Sequence, residues 1–223
     1  MNLNDRSIEV LQNFSQINPS IVFNEGDVLR TISPTKTVIA KARLNHEVET
    51  QFAIYDLSRF LGILSTFRGF AEPTFEIEEK KLKIFADGRV VTFTCAPTDL
   101  VVAPPQKDPA FDGSVVSMKI TESNLEEVRR AIGIMDFPEL TIVGEDGKII
   151  LRGTDTKNTT SDKYDVVVGE TDQEFCAVFK IDNLKLISQD YDVSIYSKGG
   201  AGISHFKGSD VEYWVAIEKN STL

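Results

Sequence analysis

The sequence predicts an α+β protein built from two similar units, in which helices pack on antiparallel sheets. An apolar strand, a polar capping residue and a leucine-bearing amphipathic helix follow one another three times, beginning at Phe52, Val116 and Ala177. Short polar turns rich in Asn, Asp and Gly join most of the predicted strands, as in hairpins. A stretch with four of the eight prolines lies near the middle of the 223 residues. Together these features predict a duplicated unit with a connector at its midpoint.

The first unit opens on an amphipathic helix over 7–17, because Val10, Phe14 and Ile17 lie on one helical face. Asn13 is assigned to the polar face of this helix. A second helix is predicted over 56–67. It begins at Asp56, whose carboxylate accepts hydrogen bonds from the unpaired backbone N–H groups of the first turn. The strands of this unit are predicted at 20–23, 28–32, 37–43, 50–54, 74–77, 82–86 and 89–95.

The second unit is predicted to repeat this order, again with two helices. A strand over 114–120 leads into a helix over 122–133, in which Ser123 and Glu126 have the spacing of a capping box. A shorter helix is predicted over 182–188. The remaining strands are predicted at 140–143, 148–153, 163–169, 174–181, 191–196, 201–207 and 211–218.

The proline-rich stretch sets the predicted domain boundaries. Proline fixes φ and lacks a backbone donor, so the stretch is expected to be an extended connector. The prediction is an N-terminal domain over 1–96, a connector over 97–113 and a C-terminal domain over 114–223.

Composition and motifs give no sign of catalysis, a metal site, a cofactor or a membrane span. Neither His46 nor His205 lies in a catalytic motif, and the two cysteines have no metal-ligand spacing. The glycines of 198–202 lie between two predicted strands, which favours a hairpin turn over a phosphate-binding loop. The absence of a secretory signal makes the cytoplasm the default compartment. The net charge of −10 makes a nucleic-acid partner less favoured without excluding it, since a surface can be locally basic.

The exposed faces of the predicted helices are sparsely charged. Burying Leu125, Val128 and Ile132 places Arg130 opposite the core of its helix and Arg129 at the flank. Arg59 lies on the outer face of helix 56–67, and Lys185 faces outwards from the last short helix. From spacing alone these are solvated helix faces. The residues by themselves therefore predict a two-domain α+β protein without a catalytic apparatus.

The block from Phe52 to Ser65, together with 99–104 (DLVVAP), resembles the sliding clamps of T4-like bacteriophages. Residues 11–21, 147–153 and 213–218 are similar in the same order, so the resemblance covers nearly the whole chain. Members of this family are DNA polymerase processivity factors and are not enzymes. The resemblance implies the DNA clamp fold, with two similar domains in each subunit and three subunits in a ring around duplex DNA. Helices would line the hole and sheets would form the outside.

The resemblance also implies three surfaces. The DNA-facing surface would comprise Arg6, Gln12, Gln16, Arg59, Arg129, Arg130 and Lys185. An apolar pocket for the C-terminal peptides of partners would comprise Leu100, Val101, Val102, Pro104, Pro105, Phe111 and Trp214. Strand 89–95 would pair with strand 163–169 of a neighbouring subunit, through Val91, Phe93, Cys95, Tyr164, Val166 and Val168.

The implied partners are duplex DNA bound without sequence preference, the replicative DNA polymerase, a clamp-loader ATPase and, in some relatives, the transcription machinery. The implied compartment is the cytoplasm of the infected bacterial host. A second hypothesis is a non-enzymatic adaptor of clamp fold, which binds partner peptides without encircling DNA. A small paired-carboxylate hydrolase is a remote third.

Overall fold

The computed structural model describes residues 3–67, 73–78, 80–111, 113–198 and 201–223. It separates into two compact units, Met1–Lys107 and Asp108–Leu223. This division falls inside the predicted connector 97–113, while the domain boundaries at 96 and 114 stay predictions. The α+β class and the antiparallel sheets are confirmed.

The first unit contains two α-helices and seven strands among its described residues. The helices are α1 (Asp5–Ile17) and α2 (Leu57–Ser65). The strands are β1 (Ile21–Phe23), β2 (Gly26–Ile32), β3 (Val38–Val48), β4 (Phe52–Ile54), β5 (Thr74–Glu78), β6 (Lys81–Ala86) and β7 (Arg89–Thr94). Strand β1 pairs with β4, β2 pairs with β3, and β5-β6-β7 form an antiparallel sheet with β7 at its edge.

Helix α2 is fixed at its start and along its buried face. The Asp56 carboxylate accepts a hydrogen bond from the Arg59 backbone N–H at 2.8 Å, as the sequence predicted. Phe60 is fully buried, and its ring centroid lies 5.6 Å from that of Phe93 and 6.4 Å from that of Phe75. These aromatic contacts hold α2 on the β5-β6-β7 sheet. Helix α1 packs against α2 and against β2 and β3.

The second unit contains one α-helix and eight strands among its described residues. The helix is α3 (Glu122–Met135), and it packs on β10 and β11. The strands are β8 (Val116–Ile120), β9 (Glu139–Glu145), β10 (Lys148–Thr154), β11 (Tyr164–Glu170), β12 (Phe175–Lys180), β13 (Tyr191–Lys198), β14 (Ala201–Lys207) and β15 (Val211–Ala216). One antiparallel sheet has the order β11-β10-β9-β12, and strands β8-β13-β14-β15 pair in that order in another.

Three predicted details are wrong. The helix predicted over 182–188 is only a 3₁₀ turn, Ile181–Asn183, so the expectation of two helices per domain fails in the second unit. The cap of α3 is formed by Thr121 with Asn124, two residues earlier than the predicted pair. Asn13, assigned to the polar face of the first helix, is buried. The turn predicted over 198–202 includes residues 199 and 200, which lie outside the described residues.

Candidate functional site

In the first unit, the predicted DNA-facing residues lie on two helices that pack against each other. Gln12 and Gln16 are exposed on α1, and Arg59 is exposed on α2. Arg6 is half-buried, and its Nη1 lies 2.8 Å from the Glu9 carboxylate. The charge of Arg6 is therefore partly balanced within its own helix. Of the two cations in this set, Arg6 and Arg59, only Arg59 is exposed.

In the second unit, the two adjacent arginines of α3 have different surroundings. Arg130 is exposed. Arg129 is partly buried, and its Nη1 and Nη2 donate to the backbone carbonyls of Leu186 and Leu184 at 3.1 and 3.0 Å. This burial lowers the pKa of the Arg129 guanidinium. Lys185, which is half-buried, lies between those two leucines instead of on the predicted helix.

The residues predicted to form one peptide pocket are distributed over several environments. Leu100 and Val102 are exposed and line a groove of about 500 Å³ in the first unit, beside the exposed ring of Tyr55. Val101 turns the other way and packs against buried Val22 and Ala53. Pro104 is buried and Pro105 is exposed.

Phe111 lines a different groove, of about 510 Å³, in the second unit. Its ring stacks on Tyr196, with the ring centroids 5.1 Å apart and the planes at 28°. Ala201, Gly202 and Ile203 complete the apolar wall. Sequence reasoning missed Tyr196 and the strand residues after it, because they lie about 90 positions from Phe111.

Trp214 is absent from the lining of both grooves. It is 3% exposed and stacks on His205, with ring centroids 4.6 Å apart and nearly parallel planes. His205 in turn lies 2.9 Å from the Glu212 carboxylate. The environment of Trp214 is therefore that of a packed sheet residue.

The two strands predicted to form subunit contacts both lie at sheet edges in the part of the chain that the structure describes. Strand β7 pairs with β6 alone, and β11 pairs with β10 alone. Val90 on β7 and Val167 on β11 are 64% and 54% exposed. Such edges have unpaired backbone groups that can bind another strand.

The six side chains named for this contact are unequal in exposure. Phe93, Cys95 and Val166 are buried in their own units, and Val91 and Val168 are half-buried. The Tyr164 hydroxyl, on half-buried Tyr164, donates to the Glu127 carboxylate at 2.9 Å, which raises the pKa of that tyrosine. Sequence reasoning named the core-facing half of each strand and missed Val90 and Val167.

Within the described residues, no group of His, Cys, Asp and Glu side chains is arranged to hold a metal ion. Burial raises the pKa of both cysteine thiols. No helix among the described residues is long and apolar enough to cross a membrane.

Two family models match separate parts of the chain. The family described as DNA polymerase processivity factor matches residues 4–79, and that described as gp45 sliding clamp, C terminal, matches residues 117–219. The sliding clamp of Vibrio phage KVP40 is 33% identical over 226 residues, covering 98% of this chain and 99% of the relative. The sliding clamp of Enterobacteria phage T4 is 30% identical, covering 100% of this chain and 99% of the relative.

Solved structures with a similar fold have little sequence identity. A PCNA2–PCNA3 complex from Sulfolobus tokodaii has a TM-score of 0.69 at 14% identity, covering 96% of both chains. A. fulgidus PCNA, solved with the C-terminal region of FEN-1 bound, has a TM-score of 0.66 at 14% identity and covers 95% of this chain and 94% of that one. These likenesses establish the fold.

Proposed function

This chain belongs to the sliding clamps of T4-like bacteriophages, and we propose that it encircles duplex DNA as a ring of three identical subunits and tethers the replicative DNA polymerase. The observation that carries the proposal is 33% identity to a phage sliding clamp along the full length of both chains. The proposed role is non-enzymatic. It is exercised in the cytoplasm of the infected host.

Ring closure is proposed to join β7 of one subunit to β11 of the next. The two edges belong to different sheets of the chain, so their pairing is head-to-tail, and a head-to-tail contact closes a ring when the rotation per subunit fits. Pairing would also cover exposed Val90 and Val167. Sedimentation should give about 74 kDa, three times the chain mass of 24.8 kDa. A monomer at micromolar concentration would contradict the proposed ring.

The proposed DNA-facing surface consists of exposed and half-exposed polar side chains on the helices and the segment after β12. Sparse cations attract phosphates without reading bases, which suits a protein that must slide. Arg59 and Arg130 are the exposed arginines of this set. The other members are Arg6, Gln12, Gln16 and Lys185.

The grooves beside Phe111 and beside Leu100 are proposed to bind C-terminal peptides of the polymerase and of a clamp-loader ATPase. Contact with the transcription machinery would use the same surfaces. Support comes from the apolar linings and from the PCNA relative, which is solved with the C-terminal region of a partner. Phe111→Ala should weaken binding of a polymerase C-terminal peptide, while Trp214→Phe, which changes a buried packing residue, should leave it intact.

The proposed function is tested by polymerase extension on a primed circular template with clamp loader and ATP. Products should lengthen when this protein is added. On the same template linearised next to the primer, the gain should disappear, because a ring slides off a free end. An adaptor that binds the polymerase without encircling DNA would give the same gain on both templates, and product length independent of the protein would refute the assignment.

A further inference from the structure

The segment 184–189, which we call the strap, occupies the position where the sequence predicted a helix. It follows the 3₁₀ turn Ile181–Asn183 and leads into β13. Leu184, Leu186 and Ile187 are buried, at 5 to 7% exposure. A buried backbone without regular secondary structure must find hydrogen-bond partners for its N–H and C=O groups elsewhere.

Side chains from α3 and from the neighbouring strands supply these partners. Arg129 donates to the carbonyls of Leu184 and Leu186. The hydroxyl of Tyr191 donates to the Ile187 carbonyl at 2.6 Å, and the Ile187 N–H donates to the Tyr213 hydroxyl at 3.2 Å. Both tyrosines are fully buried. The strap is therefore held at both the N–H and the C=O of Ile187, by Tyr213 from a distant strand and by Tyr191 four residues further along the chain.

A further bond lies at the end of the strap. The Ser188 hydroxyl donates to the Glu126 carboxylate at 2.9 Å. Because Glu126 and Arg129 occupy the same helix, α3 contacts the strap at two points one turn apart.

Arginine suits the position of Arg129 for a geometric reason. Its planar guanidinium donates in two directions at once and remains charged when buried, whereas lysine presents a single compact ammonium. The carbonyls of Leu184 and Leu186, which are separated by one residue, match the two donor directions of a guanidinium. Leu184 and Leu186, which flank Lys185, are both held in the core, so the bond pair fixes the backbone from which the Lys185 side chain extends.

We propose that Arg129 is a positioning residue, which fixes the strap so that Lys185 is presented to DNA phosphates, while Arg130 contacts phosphate directly. This inference rests on the proposed DNA-facing surface. It gives different roles to two adjacent arginines, of which helical spacing placed one opposite the core and the other at its flank. The proposal also includes Tyr191 and Tyr213, whose hydroxyls help to hold the strap in place.

The test compares charge-conserving variants. Arg129→Lys keeps the charge and loses the paired carbonyl bonds, and Tyr213→Phe loses only a hydroxyl. Hydrogen exchange of the strap amides should accelerate at least about tenfold in Arg129→Lys, because its hydrogen bonds come from a charged donor, and by a smaller factor in Tyr213→Phe, which loses one bond between neutral groups. Arg130→Gln is the matched control and should leave this exchange unchanged. Unchanged exchange in Arg129→Lys would overturn the proposal.

DNA affinity, measured on a short duplex with the full chain, supplies the second readout. Arg129→Lys should weaken binding as Lys185→Gln does, and adding it to Lys185→Gln should produce no further loss. Additive losses, or wild-type affinity of Arg129→Lys or of Lys185→Gln, would overturn the positioning role. Arg130→Gln reports separately on the DNA-facing surface, so failure of that surface is distinguishable from failure of the strap inference.

Discussion

Replacing Arg59 and Arg130 by glutamine removes two positive charges per subunit from the outer faces of α2 and α3. Both side chains are exposed, and both helices keep their N-terminal caps at Asp56 and Thr121. Glutamine retains the helix propensity of arginine to within a few tenths of a kcal/mol. The change therefore tests charge at constant structure.

The magnitude follows from counterion release. Two arginines in each of three subunits make about six phosphate contacts if all of them bind, and each contact adds about 0.9 to the slope of log affinity against log salt. Losing all of them should reduce the slope by about 5. Between 50 and 200 mM salt, that slope corresponds to a change in affinity of about a thousandfold.

The assay is fluorescence anisotropy of a labelled short duplex, titrated with the clamp over this salt range. The matched control is Lys81→Gln with Lys157→Gln, which also removes two exposed charges per subunit but from a strand and a loop. Sedimentation of both variants verifies that the oligomeric state is unchanged. If the two double variants shift the slope equally, the DNA-facing surface does not lie on the helices.

Four further substitutions test stability. Thr121→Ala removes the cap of α3 and should cost about 1 kcal/mol in urea denaturation. Gly133→Ala places a methyl group in open space within α3 and should stabilise the protein by about 0.5–1 kcal/mol. At Gly144, by contrast, a Cβ would overlap a backbone oxygen and a phenyl ring, so Gly144→Ala should destabilise the protein by about 1–3 kcal/mol. The pKa of Asp190 is lowered, chiefly by the hydrogen bond it accepts from the Glu122 backbone N–H. A carboxyl group whose pKa is lower in the folded state stabilises the fold at pH values above its unfolded-state pKa. This stabilisation is lost as the pH falls through the folded-state pKa, so Asp190→Asn should flatten the decline in Tm below about pH 4.

Local signals predicted most of the fold. Asp56 marked the start of α2 because a helix cap is a contact over three residues, and Leu125, Val128 and Ile132 marked the buried face of α3 because helical spacing alone decides which side packs. Hairpin turns located the strands for the same reason. Each of these features depends on neighbours in the sequence.

One error, the cap of α3, is local, because Thr121 and Asn124 lie only two positions before the predicted pair. The missing second helix has a distant cause. Residues 182–188 have a helix-like apolar spacing, but Arg129 and Tyr213, together with nearby Tyr191, satisfy the backbone there without a helix. Because Arg129 contacts carbonyls of this segment, it is partly buried and is not among the exposed DNA-facing residues. Helical spacing placed Arg129 at the flank of α3, but it did not reveal the two carbonyls that Arg129 contacts.

The candidate peptide site was predicted as one segment and is distributed for a similar reason. Connector residues alternate in direction, so Val101 enters the core while Leu100 and Val102 remain outside. Phe111 finds its groove through Tyr196, a contact between segments far apart in the chain. The aromatic pairing in space, which the sequence does not display, defines that groove.

The stacked pair of Trp214 and His205 gives the chain an intrinsic optical probe. Trp214 is the single tryptophan, so all tryptophan emission comes from one indole on β15, shielded from water and in contact with an imidazole. Its emission should be blue-shifted in the folded chain. Unfolding of the second unit can therefore be followed in the unlabelled protein, with the first unit contributing no tryptophan signal.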